Sequence, residues 1–456
     1  MTCQRALAIS ILLALSTPQL HGQVINETLE IIATDGALAD NFGFSIAIDD
    51  SIVAIGAYQD DDNGTDSGSV YIYNALTGSL ITKIAPNDGS AGDFFGRSIA
   101  IDNGIVAIAA DRDNANGNSS GSVYLFNAST GQQLFKLLPN DGAAFDFFGN
   151  SVAFNNGIVA IGAHFNDDNG SESGSAYLFD ASTGSQLFKL LPTDGSDSDF
   201  FGESIAINNG IVAVGAQLDS DNGTFSGSAY LFDASTGAQL FKLLPDDGAA
   251  FDAFGRSIAI ADGVVAVGAY LDDDNGTNSG SAYLFNSSTG TQFAKLSPID
   301  GDEGSEIKFG NSIAIANGIV AVGAYFDEDN GFGSGSAYLF DAKSGNQISK
   351  LLPTDGSFSD KFGSSIAIDT HTNTIAVGAN HHKDDGVIST GAAFIFAPAT
   401  PCPADLTGEG DLNFLDISAF LTAYANQDPI ADFQPDGLFN FLDVSAFLVA
   451  YGVGCP

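Results

Sequence analysis

The sequence predicts an all-β fold, a seven-bladed β-propeller closed by its own N-terminal strand, with a small α-helical unit appended at the C-terminus. Three observations predict it. A Phe-Gly pair recurs at Phe42-Gly43, Phe95-Gly96, Phe148-Gly149, Phe201-Gly202, Phe254-Gly255, Phe309-Gly310 and Phe362-Gly363, with spacings of 53, 53, 53, 53, 55 and 53 residues. Each period holds four short apolar runs, and a four-stranded sheet buries both faces only against neighbouring sheets. The last period stops after its third run, Ala392–Phe396, while Thr28–Ala33, ahead of the first Phe-Gly, matches an outer fourth strand. Seven strands of each kind result, and the ring closes.

Taken in order, residues 1–22 read as a secretory leader: Arg5, an apolar run from Ala6 to Leu15, Thr17-Pro18, and a cut after Gly22. That run is too short to span a bilayer, and no later stretch offers about 18 consecutive apolar residues. The propeller then occupies 23–398 and the tail 399–456. In the third period the strands are predicted at Ser151–Phe154, Ile158–Gly162, Ser175–Phe179 and Gln186–Leu191. The second is apolar throughout, as a strand covered on both faces should be. Asn103-Gly104, Asn156-Gly157, Asn209-Gly210 and Asp262-Gly263 are tight hairpin turns. The outer strands carry Lys83, Lys136, Lys189, Lys242, Lys295 and Lys350 at one equivalent position, with Glu30 in the closing strand. Lysine on an outer strand reads as protection against edge pairing.

The chain has 56 acidic and 14 basic residues, a net charge of −42. Phosphate recognition needs basic clusters, so nucleic acid is excluded as a partner. Calcium binding and an acidic surface suited to a saline medium both account for the charge. Cys3 lies in the leader, and the remaining Cys402 and Cys455 bracket the tail, which suggests a disulfide in an exported chain.

In an antiparallel meander, the loops between second and third strands share a face with the links between blades. Both sets are acidic. Asp60-Asp61-Asp62 and Asp272-Asp273-Asp274 are examples of the loops, and Asp88 with Asp93 of the links, so one face of the disc should be strongly negative. Asp272, Asp274 and the Gly276 turn begin a calcium-type loop without an acid at the twelfth position; a solvated turn is the alternative. Catalytic signals are few. There is no Trp for sugar platforms and no Gly-x-Ser-x-Gly nucleophile motif. The irregular segments are the Ile299–Phe309 link, with Glu303, Glu306 and Lys308, and Asn380-His381-His382-Lys383-Asp384-Asp385 of the last period. Adjacent histidines on extended chain point apart, and the second segment reads as drift in a closing blade. Arg97 and Arg256, each following Phe-Gly, read as surface residues.

The seven Phe-Gly pairs, with Gly56-Ala57, Gly162-Ala163, Gly215-Ala216, Gly268-Ala269, Gly323-Ala324 and Gly378-Ala379, resemble the FG-GAP repeats of the integrin α-subunit head and of bacterial exported proteins. The resemblance covers about residues 24 to 398. It implies a propeller used in adhesion or binding to an extracellular protein or polysaccharide ligand. Two departures stand out: no proline follows Gly-Ala, and a short Asn-Gly turn replaces the integrin-like calcium loop between the first two strands. Calcium at that family position is therefore not carried over.

The tail contains two twelve-residue segments with EF-hand spacing. The first has Asp405, Thr407, Glu409, Asp411, Asn413 and Asp416 at positions one, three, five, seven, nine and twelve; the second has Asp432, Gln434, Asp436, Leu438, Asn440 and Asp443. Gly410 and Gly437 at position six supply the sharp turn. Calcium is the cofactor this pattern predicts, Leu438 serving through its backbone carbonyl. Thr407, Gln434 and the short aspartates at position twelve predict a modest affinity, about 10⁻⁴ M. Each loop opens a helix, with apolar stripes Ile417, Phe420, Leu421, Tyr424 and Val444, Phe447, Leu448, Tyr451 predicted to pack together. This duplicated loop-helix unit, opening at Cys402-Pro403 and ending at Cys455-Pro456, resembles a GC-type dockerin-like domain. Phe414-Leu415 and Phe441-Leu442 stand where cohesin-binding dockerins carry small hydroxyl residues. The resemblance thus leaves open a cohesin and a sorting or attachment partner. The combined expectation is an exported, non-catalytic binding protein at the cell surface. A carbohydrate-active enzyme displayed through the tail and a calcium-buffering coat component are the alternatives.

Overall fold

The computed structural model describes residues 23–299, 306–384, 388–397 and, towards the C-terminus, 404, 406, 414–427, 431, 433, 434 and 438–453. The leader, Glu303, Asp385 and the tail cysteines lie outside the described residues. The chain enters through two short strands, β1 (Gln23–Asn26) and β2 (Leu29–Ile31). The first blade follows as β3 (Ser45–Asp49), β4 (Ile52–Ala57), β5 (Ser69–Asn74) and β6 (Leu80–Ile84), an antiparallel meander running outward from the axis. Six further sheets repeat it. In the third blade the strands are Val152–Asn155, Ile158–Ala163, Ser175–Asp180 and Ser185–Leu190, each within one residue of the sequence expectation.

The N-terminus closes the ring as predicted. β2 pairs antiparallel with Ala392–Phe396, Glu30 standing opposite Phe394. The sequence did not suggest β1, which adds in parallel to the outer strand of the sixth blade and sets Val24 opposite Lys350. The chain thus straps the sixth blade before completing the seventh.

The apolar cores lie between blades, one at each of seven junctions. The two repeat motifs are halves of one contact there. Every Phe of the Phe-Gly pairs is fully buried. Its ring meets an aromatic of its own third strand edge-on, as Phe201 meets Tyr230 at 5.5 Å. The glycine after it packs its carbonyl against the Gly-Ala glycine of the preceding blade. A Cβ on Gly215 would lie 2.0 Å from the Gly255 oxygen, and one on Gly378 equally close to that of Gly43. In six blades glycine at this position answers to packing rather than to a turn, and the second blade accommodates Ala109 there, its methyl group close to Gly149.

Towards the C-terminus are two helices, α1 (Phe414–Ala425) and α2 (Phe441–Val453). Phe420 and Phe447 stack at 4.1 Å with rings 5° from parallel, and Ile417, Tyr424, Val444 and Tyr451 join their cluster. Leu421 and Leu448, assigned to the stripe from sequence, are instead more than half exposed. The cluster instead takes Phe433 and Phe439 from the second loop. Among the described residues no helix is long and apolar enough to cross a membrane.

Candidate functional site

The acidic face is built around internal cations. Lys83 stands opposite Tyr71 in the sheet register, so both side chains share one face. Its stem runs along the tyrosine, with Nζ 4.7 Å from the ring centroid. The ammonium ends 2.9 Å from Asp35 of the preceding link, 2.9 Å from Asp60 and 2.6 Å from Asp62. Lys136 pairs with Asp88 and Asp113, Lys189 with Asp141 and Asp168, Lys242 with Asp194, Asp219 and Asp221, Lys295 with Asp247, Asp272 and Asp274, and Lys350 with Asp327 and Asp329. Burial works against the charge on Asp35, but bonds from Lys83 and Tyr71 outweigh it and hold the carboxyl below its ordinary value. The reading of these lysines as edge protection is therefore corrected. In the first five blades they lock the loop to its link, in the sixth Lys350 holds the loop aspartates Asp327 and Asp329, and in the fifth blade an ammonium occupies the space between Asp272 and Asp274.

Repetition ends at the axis. Three positions per blade converge on the mouth of the central channel on the acidic face, and all three vary. After Phe-Gly come Phe44, Arg97, Asn150, Glu203, Arg256, Asn311 and Ser364; at the end of the second strand come Tyr58, Asp111, His164, Gln217, Tyr270, Tyr325 and Asn380. The residue before Phe-Gly is Asn41, Phe94, Phe147, Phe200, Ala253, Lys308 or Lys361, held at a φ between 54° and 59° in every blade. Such backbone strain in non-glycine residues persists only where the surroundings enforce it. The mouth encloses about 420 Å³, with Arg97, Asn150, Glu203, Arg256, Tyr325, Lys361 and Asn380 in its lining, and beyond it the channel is lined by apolar side chains of the inner strands, mostly Ile and Ala.

Its electrostatics differ from the rest of the face. Arg97 Nε pairs with Asp111 at 3.1 Å, Arg256 pairs with Glu203, and His164 Nε2 lies 3.8 Å from Glu203. Arg97 also lies over the rings of Phe44 and Tyr58, and Arg112 over Phe94 at 4.2 Å. Burial pushes Asp111 up to about 6 against the pull of Arg97 and Arg112. Burial, then repulsion by Lys308, lowers Lys361, which has no carboxylate partner among the described residues. Of ten buried side-chain polar atoms without a hydrogen-bond partner among the described residues, four lie around the mouth: Asp111 Oδ1, Asn150 Oδ1, His164 Nδ1 and Asn380 Oδ1. The assignment of Arg97 and Arg256 to the general surface is thus corrected. Side chains at these positions turn inward because the innermost strands line the axis. The sequence carried a signal for this site, the three columns in which the periods disagree.

The closing blade inverts the lysine arrangement. Glu30 takes the lysine position, His382 the loop-aspartate position and Phe394 the tyrosine position. His382 Nε2 lies 3.1 Å from Glu30 and 3.7 Å from Asp355, while Nδ1 is 3.2 Å from Asp360. His381 turns the other way, towards Lys361.

In the tail, Asp405, Thr407, Glu409, Asp411, Asn413, Asp432 and Asp436 lie outside the described residues. Asp416 and Asp443, at the two twelfth positions, are fully buried. Asp443 accepts from the backbone amides of Gln434 at 3.0 Å and Asn440 at 2.8 Å, so positions three, nine and twelve of the second loop converge. The Asn440 side chain caps α2 through the Leu442 amide, so the same residues also serve as a helix cap. Leu438 is exposed.

Seven blades of this build, joined through Phe-Gly and Gly-Ala glycines, define a repeat propeller of the interaction type. The FG-GAP repeat model matches residues 25–73, 79–126, 132–179, 185–232, 238–285, 291–340 and 346–396, and the chain belongs to the FG-GAP repeat family. No similar protein was found among those with curated descriptions.

Proposed function

We propose that this is an exported, non-catalytic binding or adhesion protein that reads its ligand at the axial mouth and is attached or sorted through a calcium-folded, dockerin-like tail. The observation that carries this reading is the convergence of blade-variable residues on one point of an otherwise repeated disc. Arg97, Arg256 and Lys361 line it, with Arg112 and Lys308 behind them; Arg97, Arg256 and Lys308 each pair with one carboxylate, whereas six of the other lysines are each held among two or three aspartates of the loop locks. A ring of aspartates around a basic, aromatic centre repels extended polyanions and steers a compact acidic group to the axis. The ligand class is an extracellular protein or polysaccharide offering such a group beside apolar surface for the rim aromatics.

For the tail, the reading is supported by the paired loop spacing and by burial of both twelfth-position aspartates. The exposed pairs Phe414-Leu415 and Phe441-Leu442 offer an apolar contact to an attachment partner. Calorimetric titration of the full chain with calcium tests this half: about two sites are expected, and Asp416→Ala with Asp443→Ala should remove both. Undiminished binding in that variant would place calcium elsewhere and end the dockerin-like reading.

One observation favours a catalytic alternative, an extracellular carbohydrate-active enzyme: Glu203 lines the mouth with His164 and, through Arg97, Asp111 buried behind it, and Asp111 is pushed up to about 6. Turnover on a polysaccharide panel, abolished by Asp111→Asn, would establish it over the binding reading.

A further inference from the structure

We propose that the closing blade carries a zinc-type divalent metal site formed by Glu30, Asp355 and His382. In the first six blades a lysine ammonium is the local cation. In the seventh that lysine is replaced by a carboxylate, a loop aspartate by an imidazole, and the tyrosine by Phe394. All three changes favour a metal. Glu30 adds an oxygen ligand, His382 adds a nitrogen ligand that hard calcium or magnesium would not select, and Phe394 removes the competing hydroxyl.

The geometry fits. One atom from each of the three residues lies within 4.8 Å of the other two. His382 Nε2 is 3.1 Å from Glu30 Oε1 and 3.7 Å from Asp355 Oδ2. The edge of a tetrahedron with zinc-ligand bonds of 2.0–2.1 Å is about 3.3 Å, so small side-chain shifts would admit the ion. The imidazole is held for the task. It is 2% exposed, its edge packs on Phe394 at 5.4 Å and 89°, and Nδ1 faces Asp360 at 3.2 Å. A carboxylate on the far ring nitrogen is the usual support of a metal-bound histidine, fixing the tautomer that leaves Nε2 free to ligate. Glu30 and Asp355 are 35% and 51% exposed at their side chains, which gives the ion a path from solvent and leaves room for water as a fourth ligand. Without metal, a protonated His382 among these acids does the work of the lysines elsewhere. Zinc displaces that proton to solvent.

The test is calorimetric titration of the full chain with zinc chloride in saturating calcium, with cobalt(II) absorption as the reporter of coordination. One zinc equivalent is expected, with a tetrahedral cobalt spectrum. The triple variant Glu30→Lys, His382→Asp, Phe394→Tyr rebuilds the arrangement of the other blades and should fold like the parent, yet bind zinc weaker by about 100-fold or more. His382→Gln should also lose the cobalt spectrum, which keeps the test decisive if the triple variant folds poorly. Zinc binding that is absent from the parent, or unchanged in His382→Gln, would overturn the assignment.

Discussion

The wall between blades and the mouth at the axis are made by neighbouring residues of the same strands, yet they obey opposite rules. At the wall, every period repeats the same Phe and nearly the same glycines, and six of the seven repeat the lysine-aspartate lock, because each residue meets the backbone or charge of a matching neighbour. At the mouth, one residue away, the periods disagree in charge, size and polarity. Agreement between blades marks what closing the ring requires. On the proposed binding role, disagreement marks where the ring meets its ligand.

The sharpest way to break this comparison is at the wall. Gly215→Val places a side chain against the Gly255 carbonyl, where no rotamer relieves the clash. A loss of about 4 kcal/mol or more is expected in denaturant unfolding. A loss below about 1 kcal/mol would show that the blades are not in contact there.

Next comes the lock. Lys242→Met leaves Asp194, Asp219 and Asp221 facing one another, and Asp219 is buried. Removing one partner of a buried pair costs about 3 kcal/mol, and adding Asp219→Asn should restore part of it. Equal stability of parent and Lys242→Met would return these lysines to the role of edge guards.

A smaller effect follows from pH. Burial raises Asp40, Asp111, Asp199 and Asp252 to about 6 in the folded chain, above the 3.8 of an exposed aspartate. The folded state therefore takes up protons first, and stability should rise as pH falls from about 6 towards 4. Asp35, Asp88, Asp141, Asp194 and Asp247 are lowered, so their contribution is lost below 3.8 as the locks are protonated. Thermal melts should show a maximum between pH 4 and 6, about 2 °C or more above the value at pH 8. A monotonic fall in melting temperature from pH 7 to 4 would contradict this.

The fold was legible in the sequence because its signals are periodic. Seven Phe-Gly pairs set the blade count, the truncated last period revealed the closure, and apolar runs located the strands to a residue. β1 was not legible, since its edge pairing leaves no periodic mark. The lysine lock was missed although each link aspartate lies 48 residues before its lysine, from Asp35 and Lys83 to Asp247 and Lys295. Reading the outer strand as an edge hid that pairing, which depends on both side chains turning under one face. In the seventh blade the simultaneous change of lysine to Glu30 and aspartate to His382 was a further sign that the positions touch. The mouth was missed for the converse reason: its only mark in the sequence is that the periods disagree there, and the place of those columns at the axis is what brings them together.

The smallest effect on stability should come from the mouth, and there the comparison is tested most directly. The full chain, with and without Arg97→Ser, Asp111→Asn, Glu203→Gln, Arg256→Ser and Lys361→Ser combined, so that no buried carboxylate loses its cation, would be applied to an array of matrix proteins and of neutral and uronate-bearing polysaccharides, with thermal melts on both. The expected result is selective capture by the parent, loss of that capture in the variant, and melting temperatures within a few degrees, about 1 kcal/mol in stability. Identical capture by the two chains, or a variant that unfolds, would show that the mouth is one more part of the wall.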